Sequence, residues 1–364
     1  MLHVGLLLLQ QVYTTITPST LMELGISMFA DLSTDFSTGI KKKAGQRLTE
    51  LIEEIKLADQ VGLDVFGIGE HHRDDYAVSN PEIVLAAAAT VTQNIRLGSA
   101  VTVLSSTDPV RIYQNFSMVD LLSNGRVELM AGRGSFIESF PLFGLNLHDY
   151  DKLFEEKLDL LININKNEEV TWNGSVRPSL KKQRIYPRAK GELDLWIAVG
   201  GTPESIVRAA KLGLPLMVAI IGGSPAQFKS RFDLYKSEYI KAGHDPAFMR
   251  VGIHSHTLIG ENSDDIGNRY YPYYAAQMGR IGRERGWPPL SREQFEAGRS
   301  SYGALFVGDP AEVTDKILQV SEMLGLTRFV AHMDIGGPPH ADIMKSIELY
   351  GTKIAPAVRR AIKA

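Results

Sequence analysis

A carboxylate and two imidazoles stand together where an apolar run of the sequence stops. The run over residues 62–69 is followed at once by Glu70, His71 and His72. Valine, phenylalanine and isoleucine gain free energy when a strand is buried, but titratable side chains do not, so their position at the strand end indicates a pocket. In parallel α/β folds this end of the strands carries the chemistry. The alternative is that the three residues only cap the strand.

The histidines of this sequence are not spaced as a metal site. Because side chains alternate along a strand, His71 and His72 point to opposite sides and cannot readily bind one metal ion. His254 and His256 would share a face of another candidate strand, as a pair of metal ligands does. No clear carboxylate partner accompanies them, so we expect no bound metal.

Two segments have the composition of a phosphate site. Gly200, Gly201 and Thr202 turn a strand into a helix, where free backbone N–H groups and the helix dipole favour an anion. Arg133 follows another strand and lies between two glycines, so its guanidinium could pair with a phosphate through two nitrogens. An ordinary strand-to-helix turn is the alternative for the first segment. A buried salt bridge is the alternative for Arg133.

The elements that must position these residues alternate along the chain. Several amphipathic segments begin with a capping residue before proline, as Asn80-Pro81 and Asp309-Pro310 do. Apolar periodicity predicts strands over residues 24–29, 64–69, 95–103, 127–131, 194–199, 214–219, 250–259 and 327–333. It predicts helices over residues 47–61, 81–92, 109–122, 150–164, 203–212, 225–242, 264–282 and 310–324. Eight strands and eight helices are the count of a (β/α)8 TIM barrel.

A doubly wound nucleotide-binding sheet would also alternate strand and helix. Its first strand normally leads into a Gly-x-Gly-x-x-Gly turn, whereas here the first strand leads into Ala30-Asp31-Leu32-Ser33. The barrel is therefore the favoured fold, as one domain over residues 22–364. Residues 1–21 are expected to be an extension outside the core.

Two regions interrupt the alternation and are expected to be insertions on the catalytic rim. The first lies near residues 165–193, where Asn173-Gly174 between β-forming residues predicts a hairpin. The second lies near residues 268–304 and is rich in tyrosine, arginine and glycine. Its aromatic residues could form a lid over a substrate channel, or could serve surface packing or a subunit contact.

Composition restricts the class of protein. The 364 residues are 44% hydrophobic and 22% charged, as in ordinary globular proteins, and a formal net charge of -3 gives no reason to expect a nucleic-acid partner. The leucine run over residues 6–9 is too short to span a membrane and lacks the flanks of a signal peptide. The absence of cysteine excludes disulfides, thiolate metal sites and a cysteine nucleophile. A cytoplasmic protein without membrane attachment is expected.

The chain from about Met22 to Arg359 resembles the bacterial luciferase-like flavin monooxygenases. The matching pieces are Glu70-His71-His72, Asn80-Pro81, residues 97–104, Asp108-Pro109-Val110-Arg111, residues 120–129, Ala131-Gly132-Arg133-Gly134, residues 196–205 and residues 306–310. Their order and spacing over almost the whole chain carry the resemblance. It implies a TIM barrel that binds FMN, receives it reduced from a separate flavin reductase, and reacts it with oxygen.

The resemblance also implies roles for individual residues. It places His71 in the active site, where an imidazole could act as a general base or as a hydrogen-bond donor. Glu70 and His72 then have supporting roles. It implies a cis peptide bond near Ala100 and Val101 that supports the flavin ring.

Activity and partners follow from the same resemblance. It implies a monooxygenase that acts on a small organic substrate with O2, and family members often form homodimers. A deazaflavin-dependent dehydrogenase or reductase of the same fold remains an alternative. A noncatalytic flavin-binding protein is the alternative from a different class.

Overall fold

The computed structural model describes residues 22–34, 36, 38–134 and 136–363, so the expected extension at residues 1–21 lies outside the described residues. The strands are β1 (Glu23–Met28), β2 (Val65–Ile68), β3 (Arg96–Ser99), β4 (Thr102–Val103), β5 (Val127–Gly132), β6 (Glu169–Trp172), β7 (Leu180–Arg184), β8 (Asp194–Val199), β9 (Leu216–Ala219), β10 (Val251–Ile259), β11 (Phe306–Gly308) and β12 (Arg328–His332). The helices are α1 (Ala44–Gln60), α2 (Pro81–Ala89), α3 (Pro109–Ser123), α4 (Ser139–Leu142), α5 (Tyr150–Lys166), α6 (Pro203–Lys211), α7 (Lys229–Lys241), α8 (Ser263–Arg285), α9 (Arg292–Arg299), α10 (Pro310–Leu324), α11 (His340–Leu349) and α12 (Ala355–Lys363).

The parallel strands close into the predicted (β/α)8 barrel. Each pairs with the next in the order β1, β2, β3, β5, β8, β9, β10 and β12, and β12 returns to β1. β4 continues the third position of the barrel and pairs with β5. The barrel strands are mostly buried along their length, as expected for a parallel sheet covered by helices.

The third strand differs from its prediction over residues 95–103. It is divided into β3 and β4 by a cis peptide bond between Ala100 and Val101, at the place where the family resemblance implies one. Other boundaries shift by a few residues. The helix predicted over residues 225–242, for example, begins with a short 3-10 turn (Pro225–Phe228) before α7.

Both insertions have secondary structure of their own. The first forms the antiparallel hairpin β6–β7, as its Asn-Gly pair predicts. The second is not an irregular connection, because its tyrosine cluster lies within α8 and is followed by α9 and β11. Tyr270 and Tyr274 are buried against Phe295 of α9, with ring centroids 6.3 and 5.7 Å apart. These aromatic residues form the core of the insertion itself.

A buried ionic cluster closes the N-terminal end of the barrel. Arg328, the first residue of β12, is fully buried and donates to both carboxylate oxygens of Glu128 at 2.6 and 3.0 Å. It also donates to Glu23 at 2.7 Å, and its guanidinium lies 3.9 Å from the Trp196 ring centroid. The opposite end of the barrel carries the polar strand ends.

Of the described helices, none is both long enough and apolar enough to cross a membrane.

Candidate active site

A cavity of about 350 Å³ lies at the C-terminal ends of the barrel strands. We call it the main cavity, and its volume is typical of small-molecule sites. Of the seven residues predicted to be catalytic or to bind the flavin, five line it, namely His71, Ala100, Val101, Arg133 and Gly200. They come from four different strand ends, so only the closed barrel brings them together.

His71 is buried in a nest of aromatic rings. Its ring centroid lies 4.2 Å from that of Tyr76 and 4.7 Å from that of Phe29. Its Nε2 atom is buried and has no hydrogen-bond partner among the described residues. Burial, reinforced by the nearby imidazole of His332, lowers the pKa of His71 to about 3. The side chain therefore presents a neutral imidazole to the cavity at ordinary pH.

Glu70 connects the end of β2 to the strand beyond the cis bond. One carboxylate oxygen lies 3.0 Å from Nε2 of His72, and the other accepts a hydrogen bond from the Val103 amide at 2.8 Å. His72 does not line the main cavity, in agreement with the predicted divergence of the two adjacent histidines. Glu70 thus holds β4 in place through a charged acceptor.

Three further histidines face the main cavity from β10 and β12. Nε2 of His254 lies 2.6 Å from the Ser27 hydroxyl, and Nδ1 of His256 lies 3.0 Å from the Tyr274 hydroxyl. Burial, together with the neighbouring His332, lowers the pKa of both residues well below the ordinary histidine value. Strand alternation predicted that His254 and His256 share a face of their strand. In the structure that face lines the main cavity.

His332 and Asp334 form a buried pair that the sequence reasoning did not identify. Nε2 of His332 donates to Asp334 at 3.1 Å, which leaves Nδ1 buried and without a hydrogen-bond partner among the described residues. The carboxylate orients the imidazole, so Nδ1 is the nitrogen that faces away from Asp334. The two residues are separated by one position, but Asp334 lies beyond the end of β12, so strand alternation alone does not pair them.

Asp334 is held by an extended set of donors. It accepts hydrogen bonds from the amides of Phe29 and Ala30 at 2.9 and 2.7 Å, and from Arg47 at 3.0 Å. Arg47 is itself fixed by a bidentate pair with Glu54 at 3.0 and 2.9 Å. Burial alone would raise the pKa of Asp334, but the His332 hydrogen bond and the Arg47 charge bring the pKa below its ordinary value. Asp334 is therefore a fixed anion.

The wall at the cis bond allows close approach of the backbone. A Cβ atom on Gly67 would lie 2.8 Å from the Ala100 Cβ, and one on Gly132 would lie 2.7 Å from Val101. Glycine at both positions lets Ala100 and Val101 sit against the neighbouring strands. A small apolar cluster formed by Met130, Trp196, Met217 and Val330 continues this wall. The surface suits the face of a flat aromatic ring.

The cavity is polar and cationic, rather than apolar, at the ends of β5 and β8. The Arg133 guanidinium forms an ion pair with Asp151, whose side chain is 70% exposed, and lies 5.0 Å from the Tyr150 ring centroid. The Tyr150 hydroxyl donates to the Gly134 carbonyl at 3.1 Å. The salt bridge considered as the alternative for Arg133 is thus present, but its partner is at the surface rather than buried.

Gly200 leads from β8 towards α6. A Cβ atom on Gly200 would meet nothing within 4 Å, so the loop leaves open space beside the main cavity. Gly201 and Thr202 follow it but do not line the cavity, and the Thr202 hydroxyl donates to Ser205 at 2.9 Å. Arg231 donates to the Gly201 carbonyl at 2.7 Å, which places a second guanidinium behind this loop. Arg231 was not singled out from the sequence.

The described residues contain no group of three or more histidine, aspartate or glutamate side chains arranged to hold a metal ion. The cavity offers the neutral imidazoles of His71, His254 and His256, an apolar wall and a cationic end. These groups can bind and orient an organic molecule that carries an anion.

Comparison with known proteins places the chain among related barrels. The model of the family described as luciferase-like monooxygenase matches residues 22–328. The alkanal monooxygenase alpha chain of Photobacterium leiognathi is 24% identical over 325 residues, which cover 83% of this chain and 91% of that protein.

Two solved structures share the fold. The oxygenating constituent of 3,6-diketocamphane monooxygenase from Pseudomonas putida, in complex with FMN, has a TM-score of 0.73 and 20% identity, covering 92% of this chain and 98% of the other. An F420-dependent secondary alcohol dehydrogenase has a TM-score of 0.73 and 17% identity, covering 93% and 99%. At these identities the two structures show the common fold alone.

Proposed function

The chain belongs to the luciferase-like monooxygenase family, and on this premise we propose that it uses reduced FMN and O2 to oxygenate a small organic substrate. The observation that carries the proposal is the division of the main cavity. An apolar wall at Ala100 and Val101 adjoins a cationic end at Arg133. A flavin mononucleotide has the matching parts, a flat ring and a phosphate.

The residues at the cationic end fit a phosphate group. Arg133 supplies a guanidinium whose present partner, Asp151, is largely exposed and can be exchanged for a phosphate oxygen. Gly200 supplies a backbone N–H group beside the main cavity, and those of Gly201 and Thr202 follow behind it at the start of α6. Arg231 braces this loop through the Gly201 carbonyl.

The imidazoles of the cavity can hold a bound molecule by hydrogen bonds. Reduced FMN, when bound, would supply the electrons that activate O2. His71 remains neutral because of its burial, so its ring can hold a hydrogen bond to a bound molecule. His332 is oriented by Asp334, so its Nδ1 can hold a second hydrogen bond to that molecule.

The wider assignment follows the family. We propose that a separate flavin reductase supplies the reduced FMN, that the protein acts as a homodimer, and that it works in the cytoplasm. A deazaflavin coenzyme with hydride transfer, or flavin binding without catalysis, is the competing assignment.

The first test compares two flavins in binding titrations. FMN and riboflavin share a ring, but only FMN has the phosphate. Arg133→Ala should weaken FMN binding about 10- to 100-fold, the value of a charge-assisted hydrogen bond, and should leave riboflavin binding unchanged. Arg184→Ala is the matched control, because Arg184 is an exposed arginine on the hairpin. Equal losses for the two flavins would contradict the proposed phosphate site.

The second test concerns the reaction. Purified protein is mixed with FMNH2 in aerated buffer, and oxygen-dependent product is measured with a panel of small organic compounds. Tight binding of a deazaflavin in place of FMN would instead favour hydride transfer. Binding of FMN with no turnover of any compound would favour the noncatalytic assignment.

A further inference from the structure

A second cavity of about 340 Å³ adjoins the main cavity, and we call it the side chamber. It is lined by the turn at residues 221–223 and by residues of the second insertion between Tyr274 and Leu305. Ile221, Met278 and Trp287 line both spaces. The two cavities are therefore neighbours that share a wall of three apolar side chains.

The shared wall is held in place by the end of α8. Gly286 adopts a left-handed conformation at φ 70°, and the Trp287 amide then donates to the Gly282 carbonyl at 2.8 Å. This turn brings the Trp287 ring back towards the chamber, with the Arg285 guanidinium 5.2 Å from the ring centroid. Beside it, the Tyr274 ring lines the chamber and the Tyr274 hydroxyl contacts His256 of the main cavity.

The lining of the side chamber determines what it can accept. None of the twelve described residues that line it carries a formal charge, and most are aliphatic, aromatic or glycine. The carboxamide of Gln294 is engaged, since its oxygen accepts a hydrogen bond from the Ser291 amide at 2.9 Å. A charged or strongly polar group would lose its hydration there without compensation. An uncharged apolar group would gain from burial.

We propose that the side chamber binds the apolar part of the substrate, so that the substrate class is an uncharged compound with a hydrophobic chain or ring system. The inference rests on the proposed function, in which a flavin ring and a substrate lie side by side. Without the side chamber, the main cavity alone would have to hold both. The functional group to be oxidised would lie in the main cavity, near His71 and His332. The hydrophobic remainder would pass Met278 and Trp287 into the chamber.

The test is a series of unbranched primary alcohols from hexanol to dodecanol, bound to the full chain in the presence and absence of FMN. Each added methylene that enters the chamber should strengthen binding about fourfold until the chamber is full. Bromine at the far end of the chain should quench the emission of Trp287, and the quenching should be lost in Trp287→Phe. Trp172 lies in the hairpin and Trp196 in the barrel wall, so any quenching that persists in Trp287→Phe measures their background.

A blocking variant tests the location. A Cβ atom on Gly222 would meet nothing within 4 Å, so Gly222→Leu should fold and should fill part of the chamber. It should abolish the chain-length dependence and leave FMN binding unchanged. Gly45→Leu is the matched control, because Gly45 is equally unobstructed but lies on the exposed side of α1.

The outcomes separate the two proposals. Affinity that is independent of chain length, or unchanged in Gly222→Leu, overturns the side chamber as the binding site. Alcohol binding that follows chain length in a protein unable to bind FMN overturns the proposed function and supports the apolar site alone.

Discussion

The buried histidines make the protein sensitive to mild acid, and the size of the effect can be worked out. His71, His254 and His256 all have a folded-state pKa well below the ordinary value near 6.5, because burial penalises their charged forms. The unfolded chain therefore binds more protons than the folded one as the pH falls below 6.5. The stability that these residues preserve is fully present above pH 6.5 and is lost as the pH falls.

Lowering the pH from 7.5 to 5.5 should cost about 1.4 kcal/mol of unfolding free energy for His71, and His254 and His256 should add to the loss in the same direction. His340 acts in the opposite direction. Its hydrogen bond with Glu54 raises its pKa, so it gains stability over the same interval and offsets part of the loss. A substantial net decrease should remain.

The assay is urea unfolding at the two pH values, for the wild type and for His71→Phe. Phenylalanine suits the aromatic nest and does not titrate, so about 1.4 kcal/mol of the pH dependence should disappear. The control is His148→Phe, which changes an exposed histidine away from the cavity. If His71→Phe keeps the full pH dependence of the wild type, His71 is not held neutral by burial and the reasoning about its proton chemistry is refuted.

Three further substitutions test the parts that surround the cavity. Arg328→Met leaves the buried Glu128 carboxylate without its bidentate partner and should destabilise the protein by about 3–5 kcal/mol in urea unfolding. Glu70→Ala frees the Val103 amide and should weaken the binding of FMN and riboflavin equally, about tenfold in titrations, because it disturbs the ring-binding wall and not the phosphate end. Asp334→Asn should lower turnover with FMNH2 at least tenfold while leaving FMN affinity within about twofold, and an unchanged turnover would remove the buried pair from the mechanism.

Local signals explain which features of the fold were predictable. The Asp309-Pro310 and Asn80-Pro81 pairs mark helix starts because proline fits the first helical position, and both helices begin there. The number of predicted strands indicated a barrel. The barrel fold in turn predicted a cavity at the C-terminal ends of its strands. The structure of the tyrosine-rich segment near Tyr270 was harder to predict, because the segment combines helical periodicity with the composition of a loop. Its tertiary contact with Phe295 decided the outcome.

Residues of the candidate site were predictable only where polar residues directly follow a strand in the sequence. Arg47 shows the limit, because it looks like an ordinary helix residue in the sequence but is buried against Asp334, which lies 287 positions away. The partner of Arg133 is likewise set by how α5 packs, not by the glycines beside it. His332 and Asp334 show the same limit, because Asp334 follows the end of β12 and its contact with His332 depends on the conformation of that loop.

The wall of the main cavity at Ala100 and Val101 is built from a different part of the chain than the side chamber, and this has an evolutionary consequence. The wall comes from the barrel strands, whereas the side chamber comes from one turn and the second insertion. The insertion is tied to the loop after His72 by ion pairs of Arg73 with Glu284 and of Arg280 with Asp75. With the roles proposed above, mutations in the insertion can change which compound is oxidised while the inherited cofactor machinery stays intact. Proteins that descend from one ancestral barrel can then acquire different substrates through mutations in a single segment of the gene.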